Sequence, residues 1–116
     1  ASVGVAWATP AAPNLDLTIS AKTADYTLVA GDLNKLITMS SASTTTITVP
    51  SGVFTAGQQI NVQGIGAGLV QIRNNGTSVL TSTGATAGAP NLRAQYSAAT
   101  IICTSSNNFT VIGDLA

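Results

Sequence analysis

The chain has 116 residues, four basic and four acidic side chains, no histidine and a formal net charge of zero. Charged residues make up 7% of it, against about 25% in an ordinary globular domain. This length holds one domain, and so few basic residues argue against nucleic-acid binding, which needs clustered lysines and arginines. No apolar run reaches the length of a membrane span, so no membrane contact is expected.

Residues 1–14 form a segment with its own composition. It holds five alanines, Pro10, Pro13 and the only tryptophan, and it has no charge and no hydrophobic period. We predict an extended N-terminal arm, with residues 15–116 as the folded domain. A tryptophan in an arm has no local core to join, so Trp7, Pro10 and Pro13 are predicted to contact a partner. The small first residue fits a gene product whose initiator methionine has been removed.

After the arm, short runs rich in Val, Ile and Thr are separated by turn signals at spacings of about 8–12 residues. The predicted strands are 15–20, 26–30, 35–39, 44–49, 59–63, 69–73, 77–81, 92–96, 99–104 and 108–112, with one helical turn near 30–34. Tight turns are predicted at 64–68, at Asn74-Asn75-Gly76 and at Ser105-Ser106-Asn107. The pattern predicts an all-β fold, a single antiparallel β-sandwich or jelly-roll-like barrel. No fixed repeat is visible, so a solenoid is not favoured.

Residues suited to catalysis are scarce. The chain lacks His and Glu, the commonest acid–base catalysts and zinc ligands beside Asp and Cys. Cys103 lies in an apolar run and is predicted to be a buried small hydrophobe. Asp25 and Asp32 are predicted to be turn or cap residues. We therefore expect no enzyme, no cofactor and no metal site.

The glycines of 64–68 and the aromatic residues outside the arm are predicted to have structural roles. The glycines of 64–68 precede a strand-like run and not a helix, so a nucleotide-binding loop is not expected. The aromatic residues outside the arm are predicted to pack in the core; they are Tyr26, Phe54, Tyr96 and Phe109.

The predicted outer faces of the strands carry Thr, Ser, Asn and Gln where a free monomer usually carries charge. The strand edges also lack the charged residues that prevent edge pairing. The uncharged run 44–49 would be an aggregation hazard if exposed. We therefore predict an obligate homo-oligomer, and the spacing alone does not choose between two-fold and three-fold symmetry.

From about Ala21 to its end, the chain resembles a domain that recurs in structural proteins of tailed bacteriophages. The residues that carry the resemblance are 24–28, Asp32, 35–39, the Thr-rich strand into Pro50, 57–62, 66–68 and 108–115. The resemblance implies a module on the virion surface, often trimeric, with no catalytic residues.

A short chain with an apolar arm and no fibre shaft favours one member of this group, a capsid decoration (cement) protein. Its expected location is the capsid surface, and its expected partners are itself and the major capsid protein or another virion protein. The alternative is a tail-fibre or head-fibre module, or an adhesin domain, that binds a host receptor or carbohydrate.

Overall fold

The computed structural model describes residues 16–82, 86 and 88–116, which form an all-β domain of nine strands and one short 3-10 turn (Ala30–Asp32). The strands are β1 (Thr18–Lys22), β2 (Tyr26–Thr27), β3 (Lys35–Met39), β4 (Thr45–Val49), β5 (Gln59–Gly64), β6 (Val70–Asn74), β7 (Val79–Ser82), β8 (Ala98–Ser105) and β9 (Asn108–Gly113). The large sheet has the order β1-β3-β5-β8-β9-β7, and the small sheet has the order β2-β4-β6.

Alternating burial explains why these segments form strands. In β4, Thr45, Ile47 and Val49 are buried, and the residues between them are half-buried. Successive side chains of a strand point to opposite faces of its sheet, so one set from each sheet faces the interior. The largest fully buried side chains come from both sheets; they include Ile37, Ile60, Ile101 and Phe109 from the large sheet and Ile47 and Ile72 from the small one.

The chain winds through the two sheets in three passes, and each pass places one strand in the large sheet and the next in the small sheet. Consecutive passes pair in parallel, β1 with β3 with β5 and β2 with β4 with β6. Leu36 lies beside Asn61 in the large sheet, and Thr45 lies beside Val70 in the small sheet. The second and third passes are therefore related by the same 25-residue step in both sheets.

The all-β prediction is confirmed, but the predicted antiparallel sandwich or jelly roll is wrong. Five of the seven pairings between described strands are parallel, and the winding is that of a short solenoid. Alternation of apolar and polar residues reports which faces are buried, and it is the same for parallel and antiparallel neighbours. The step from the first to the second pass also differs from 25, since Thr18 lies beside Lys35. The passes therefore differ in length, and the sequence has no constant repeat period.

The bend that joins the large sheet to the small sheet stacks on the corresponding bend of the next pass. The Gly68 N–H donates to the Ser41 carbonyl at 2.8 Å, so the ladder continues through the bend. A Cβ atom on Gly66 would collide with the backbone of Ser41, and one on Gly68 with the backbone of Ser43. The segment 64–68 is therefore a close-packed bend between sheets, and its prediction as a hairpin turn is wrong.

The predicted hairpin at Asn74-Asn75-Gly76 is also wrong, because β6 lies in the small sheet and β7 in the large one. Gly76 has a positive φ of 64°, but Asn75 does not, so the turn lacks the two positive φ values of a tight type I′ hairpin. The Ser78 hydroxyl accepts the Asn75 N–H at 2.9 Å and lies 2.8 Å from the Val49 carbonyl oxygen, where it can donate. These bonds hold the chain as it crosses between sheets.

The last two strands close the large sheet. The predicted hairpin between β8 and β9 is confirmed, with Asn107 in the left-handed region at φ 60°. β8 pairs antiparallel with β5, and β9 pairs parallel with β7. The predicted strand at 92–96 is wrong, since only Asn91 and Leu92 make isolated bridges there, to Gln71 and Leu115.

Candidate functional site

Several residues singled out in the sequence have the predicted role. Cys103 is buried, and this burial raises the pKa of its thiol, which suits a packing residue and not a nucleophile. Asp25 accepts the Thr46 N–H at 2.9 Å. Asp32 accepts the Tyr26 hydroxyl and the Val29 N–H, each at 2.8 Å. Asp32 therefore caps the 3-10 turn as predicted, whereas the Asp25 side chain joins the segment before β2 to β4 of the next pass.

The arm residues Trp7, Pro10 and Pro13 lie outside the described residues. Within the described part of the chain, no group of three or more His, Cys, Asp or Glu side chains is placed to hold a metal ion. The same part contains no helix that is long and apolar enough to cross a membrane.

The prediction that the aromatic residues pack in the core is correct for three of them and wrong for Tyr96. Phe54 and Phe109 pack edge to face in the core with ring centres 6.2 Å apart, and half-buried Tyr26 packs against that core. Tyr96 was predicted to pack inside, but 64% of its surface is exposed. Apolar residues at 92, 94 and 96 follow the alternation of a strand, whereas the chain leaves that path in a tight turn.

The outward side of the large sheet, here called the outer face, is a broad surface that the strand registers define. Its middle row runs across five strands as Ile19, Leu36, Asn61, Thr100 and Ile112. One flanking row is Gln59, Ile102, Thr110 and Thr81. The other is Ala21, Thr38, Gln63 and Ala98, of which Thr38 is buried. None of these positions carries a charge.

The two sides of the molecule differ in chemistry. On the outer face, Ile19 and Ile112 are 60% and 52% exposed, and the Thr100 hydroxyl donates to the Asn61 side-chain oxygen at 2.7 Å. On the outward side of the small sheet, the Arg73 guanidinium donates to the Pro90 carbonyl and the Asn91 side chain, each at 2.8 Å. The outer face is thus the large uncharged surface of the described domain.

Tyr96 occupies a strained turn at the end of β5. Its φ of 70° is unusual for a bulky residue, and such a conformation costs about 1–3 kcal/mol. Its N–H donates to the Gly64 carbonyl at 2.6 Å, and the Gly64 N–H donates to the Ser97 carbonyl at 3.1 Å. The Ala94 N–H donates to the Ser97 hydroxyl at 3.0 Å. The end of a core strand therefore fixes the backbone that carries this exposed side chain.

A cavity of about 150 Å³ lies beside this turn, between the bend at 64–70 and residues 92–95. On its rim, Arg93 donates to both carboxylate oxygens of Asp114, at 2.6 and 2.8 Å. The Ser97 hydroxyl donates to the same carboxylate at 2.6 Å. These bonds, led by the one from Arg93, hold the pKa of Asp114 below its usual value. The Gln95 amide is fixed by its bond to the Ile65 carbonyl at 3.1 Å. The rim is polar but has no net charge.

No family model, no curated protein and no solved structure matches this chain.

Proposed function

We propose that the protein is a non-enzymatic structural protein of a bacteriophage virion. In this proposal it is a capsid decoration (cement) protein that forms a trimer through its outer face and binds the major capsid protein. The observation that carries the proposal is the uncharged outer face with its exposed isoleucines. The sequence resemblance to phage structural domains supplies the virion context.

The chemistry of the outer face supports association with a second copy. Covering it desolvates no charge, which removes the largest penalty of burying a polar surface. The Thr100–Asn61 bond satisfies two polar groups within the face, so burying them leaves fewer polar atoms without a partner. Ile19, Leu36 and Ile112 lie at intervals along one row and would gain from burial.

The size of the face supports a role for the arm as well. Six strands about 4.8 Å apart, each about six residues long at about 3.3 Å per residue, give a footprint of roughly 500 Å², against about 800 Å² per partner in a standard interface. The remaining area has to come from other segments. In the proposal the arm supplies it, with Trp7, Pro10 and Pro13 against a neighbouring copy or the capsid protein.

Light scattering tests the assembly. We expect a trimer mass for the full chain and a monomer mass for the double variant Ile19→Lys/Ile112→Lys, because charge at both ends of the middle row of the face opposes its burial. Thr27→Lys places one lysine on an exposed residue of the small sheet and should keep the trimer. Circular dichroism checks that each variant folds. A monomeric full chain, or a trimer that survives the double substitution, contradicts the proposal.

The arm is tested separately on capsids of the phage that encodes the chain. A version starting at Leu15 should fold normally but lose its sedimentation with capsids, and Trp7→Ala should weaken that binding. Undiminished capsid binding by the shortened chain would exclude the arm as the anchor.

One observation favours the second candidate, a fibre module that binds a host receptor or carbohydrate. The Tyr96 side chain is exposed on a backbone that is fixed by its bonds to Gly64 and Gln63, and tyrosine is enriched in binding interfaces. This candidate is also non-enzymatic.

A further inference from the structure

We propose that the free edge of β1 binds the N-terminal arm of a second copy of this chain, which adds to the large sheet as a further strand. This inference rests on the proposed homo-oligomer and deepens it, because it names the surface that receives the arm. In the proposal residues 1–9 form the added strand, and the residues after them connect it to the copy from which it comes.

The two ends of the winding differ in how their strand edges are covered. At the last pass, β8 pairs with the far edge of β5. The far edge of β6 is covered too, since the Ile72 N–H donates to the Pro90 carbonyl at 2.9 Å. At the first pass, β1 pairs with β3 on one side, and no described strand lies on its other side. Because the terminal repeats of a solenoid need a cap, the uncovered edge of β1 is the place where one is missing from the described domain.

The hydrogen bonds of β1 show which of its backbone groups point to this uncovered edge. The Lys22 carbonyl accepts the Ser40 N–H at 2.9 Å, so the backbone of Lys22 faces β3. Successive residues of a strand direct their N–H and C=O groups to opposite edges, so the backbone of Ser20 faces β3 as well. The N–H and C=O groups of Ile19 and Ala21 therefore point away from β3. These are the groups that an added strand would bond.

The side chains along this edge favour the addition of an uncharged strand. Leu17 and Ile19 are 46% and 60% exposed, and residues 17–21 carry no charge. A strand that pairs with this stretch therefore buries apolar surface without desolvating a charge there. When a strand adds to a sheet edge, the main-chain hydrogen bonds provide affinity and the alternate side chains provide specificity.

The arm has the composition of such a strand. Residues 1–9 contain no charge and no proline, and the larger side chains Val3, Val5 and Trp7 alternate with glycine and alanine. Valine and tryptophan are both enriched in strands. Pro10 is the first residue that would interrupt a ladder, because it has no N–H. Nine residues precede it, which is enough to pair with all five residues of β1.

The connection between the arm strand and β1 favours a second copy as the receiver. Hairpin loops commonly have 2–5 residues, whereas residues 10–17 separate the two segments and include Pro10 and Pro13. Prolines favour an extended chain of about 3.1 Å per residue, so residues 10–15 span roughly 19 Å. Neighbouring strands lie only about 4.8 Å apart. The connection therefore carries the arm away from its own β1, and in a trimer each copy can give its arm to the next until the ring closes.

The experiment measures contact between copies of the full chain. Ser2→Cys is labelled with a nitroxide on the new thiol, while Cys103 is 1% exposed and is protected by burial. The labelled protein is refolded from urea together with ¹⁵N-labelled chain that carries no nitroxide. The nitroxide should broaden the amide signals of residues 17–22 in the ¹⁵N copy more than those of β7, which lies at the opposite edge of the large sheet.

Two variants of the ¹⁵N copy test the edge itself. Ala21→Pro removes an N–H that points away from β3, so it should keep the fold by circular dichroism but lose the broadening. Ala21→Ser keeps this N–H and should keep the broadening.

The outcomes separate this inference from the proposed assembly. In a trimer, sharp signals for residues 17–22, stronger broadening of β7, or broadening that persists in Ala21→Pro would overturn the edge of β1 as the receiver. Broadening of residues 17–22 only when the nitroxide and ¹⁵N are in the same chain would show that the arm binds its own domain. Each of these results leaves the trimer in place. A monomer mass by light scattering at the concentration used for NMR would overturn both the inference and the assembly.

Discussion

At the scale of single residues, the least expected finding is how much one carboxylate organises. Asp32 is 2% exposed, and its oxygen accepts both the Tyr26 hydroxyl and the Val29 N–H. Lys22 lies over the Tyr26 ring with its Nζ 4.1 Å from the ring centre. Together these contacts tie the first pass of the winding to the 3-10 turn that follows it. Asp32 appeared in the sequence only as a turn residue, because the contact with Tyr26 depends on a bend that no local pattern specifies.

This contact predicts a loss of stability at alkaline pH. Burial of the ring, and then Asp32, raises the pKa of Tyr26 to about 12, against 10.0 in the unfolded chain. The folded state therefore holds the phenol proton more tightly, so the stabilisation is complete below pH 10 and is lost as pH rises through 12. Urea midpoints across this interval should fall less for Tyr26→Phe than for the original chain. Tyr96→Phe keeps Tyr26 and should show the original decline; equal declines in all three proteins would contradict the assignment.

At the scale of elements, the stacked bends set the spacing of the passes. Gly66 does not have the positive φ that favours glycine. A Cβ atom at this position would nevertheless meet the Ser41 backbone. Backbone cannot move aside as a flexible side chain can. Position 66 therefore requires a residue without a side chain, because a segment 25 residues earlier in the chain packs directly against it.

Gly66→Ala should consequently lower the free energy of unfolding by about 1–3 kcal/mol or more, the cost of overpacking a close contact. Gly31→Ala offers a matched comparison, since a Cβ on Gly31 meets nothing within 4 Å and should change stability by no more than about 0.5 kcal/mol. Urea unfolding of both variants measures the difference. Equal stabilities would mean that the two bends are not packed as described.

The same bends show how far the sequence predicts the fold. The strands around Ile37, Ile47 and Ile101 were located correctly because alternation and β-branched residues are local signals. Their partners were not, because parallel pairing joins segments through bends whose key feature is the absence of a side chain. Gly64 to Gly68 are as typical of a hairpin as of a bend. The uncharged strands were visible as an unusual composition, but the register was needed to place them on one face.

At the scale of the whole molecule, charge and apolar surface are segregated. Five charged side chains lie in or near the first pass, those of Asp16, Lys22, Asp25, Asp32 and Lys35. The outer face carries no charge. Lys22 and Asp25 flank strands at the open end of the winding, where charge discourages unwanted pairing of strand edges. The outer face has no such protection, which is consistent with its proposed burial against another copy.

An uncharged interface predicts an assembly that is insensitive to salt. Raising sodium chloride from about 0.1 to 1 M shortens the Debye length from about 10 to 3 Å. The trimer should dissociate no more readily at the higher concentration, as measured by sedimentation equilibrium at several protein concentrations. Weakening by about tenfold or more would indicate ion pairs between copies. The Arg93–Asp114 pair would then be the first place to look, and Asp114→Asn would test it.

The position of β7 has a consequence for how the chain folds. β7 precedes β8 and β9 in sequence, yet it sits at the edge of the large sheet with β9 as its neighbour. On a ribosome, β7 emerges well before the strand it will pair with, and it must wait unpaired until β9 has been synthesised and has turned back on β8. The strands of the three passes can pair in the order in which they are synthesised, but β7 cannot pair until β9 has been made. The longest separation along the chain between paired strands is that between β5 and β8, so we expect the docking of the β8–β9 hairpin onto β5 and β7 to govern the rate of folding.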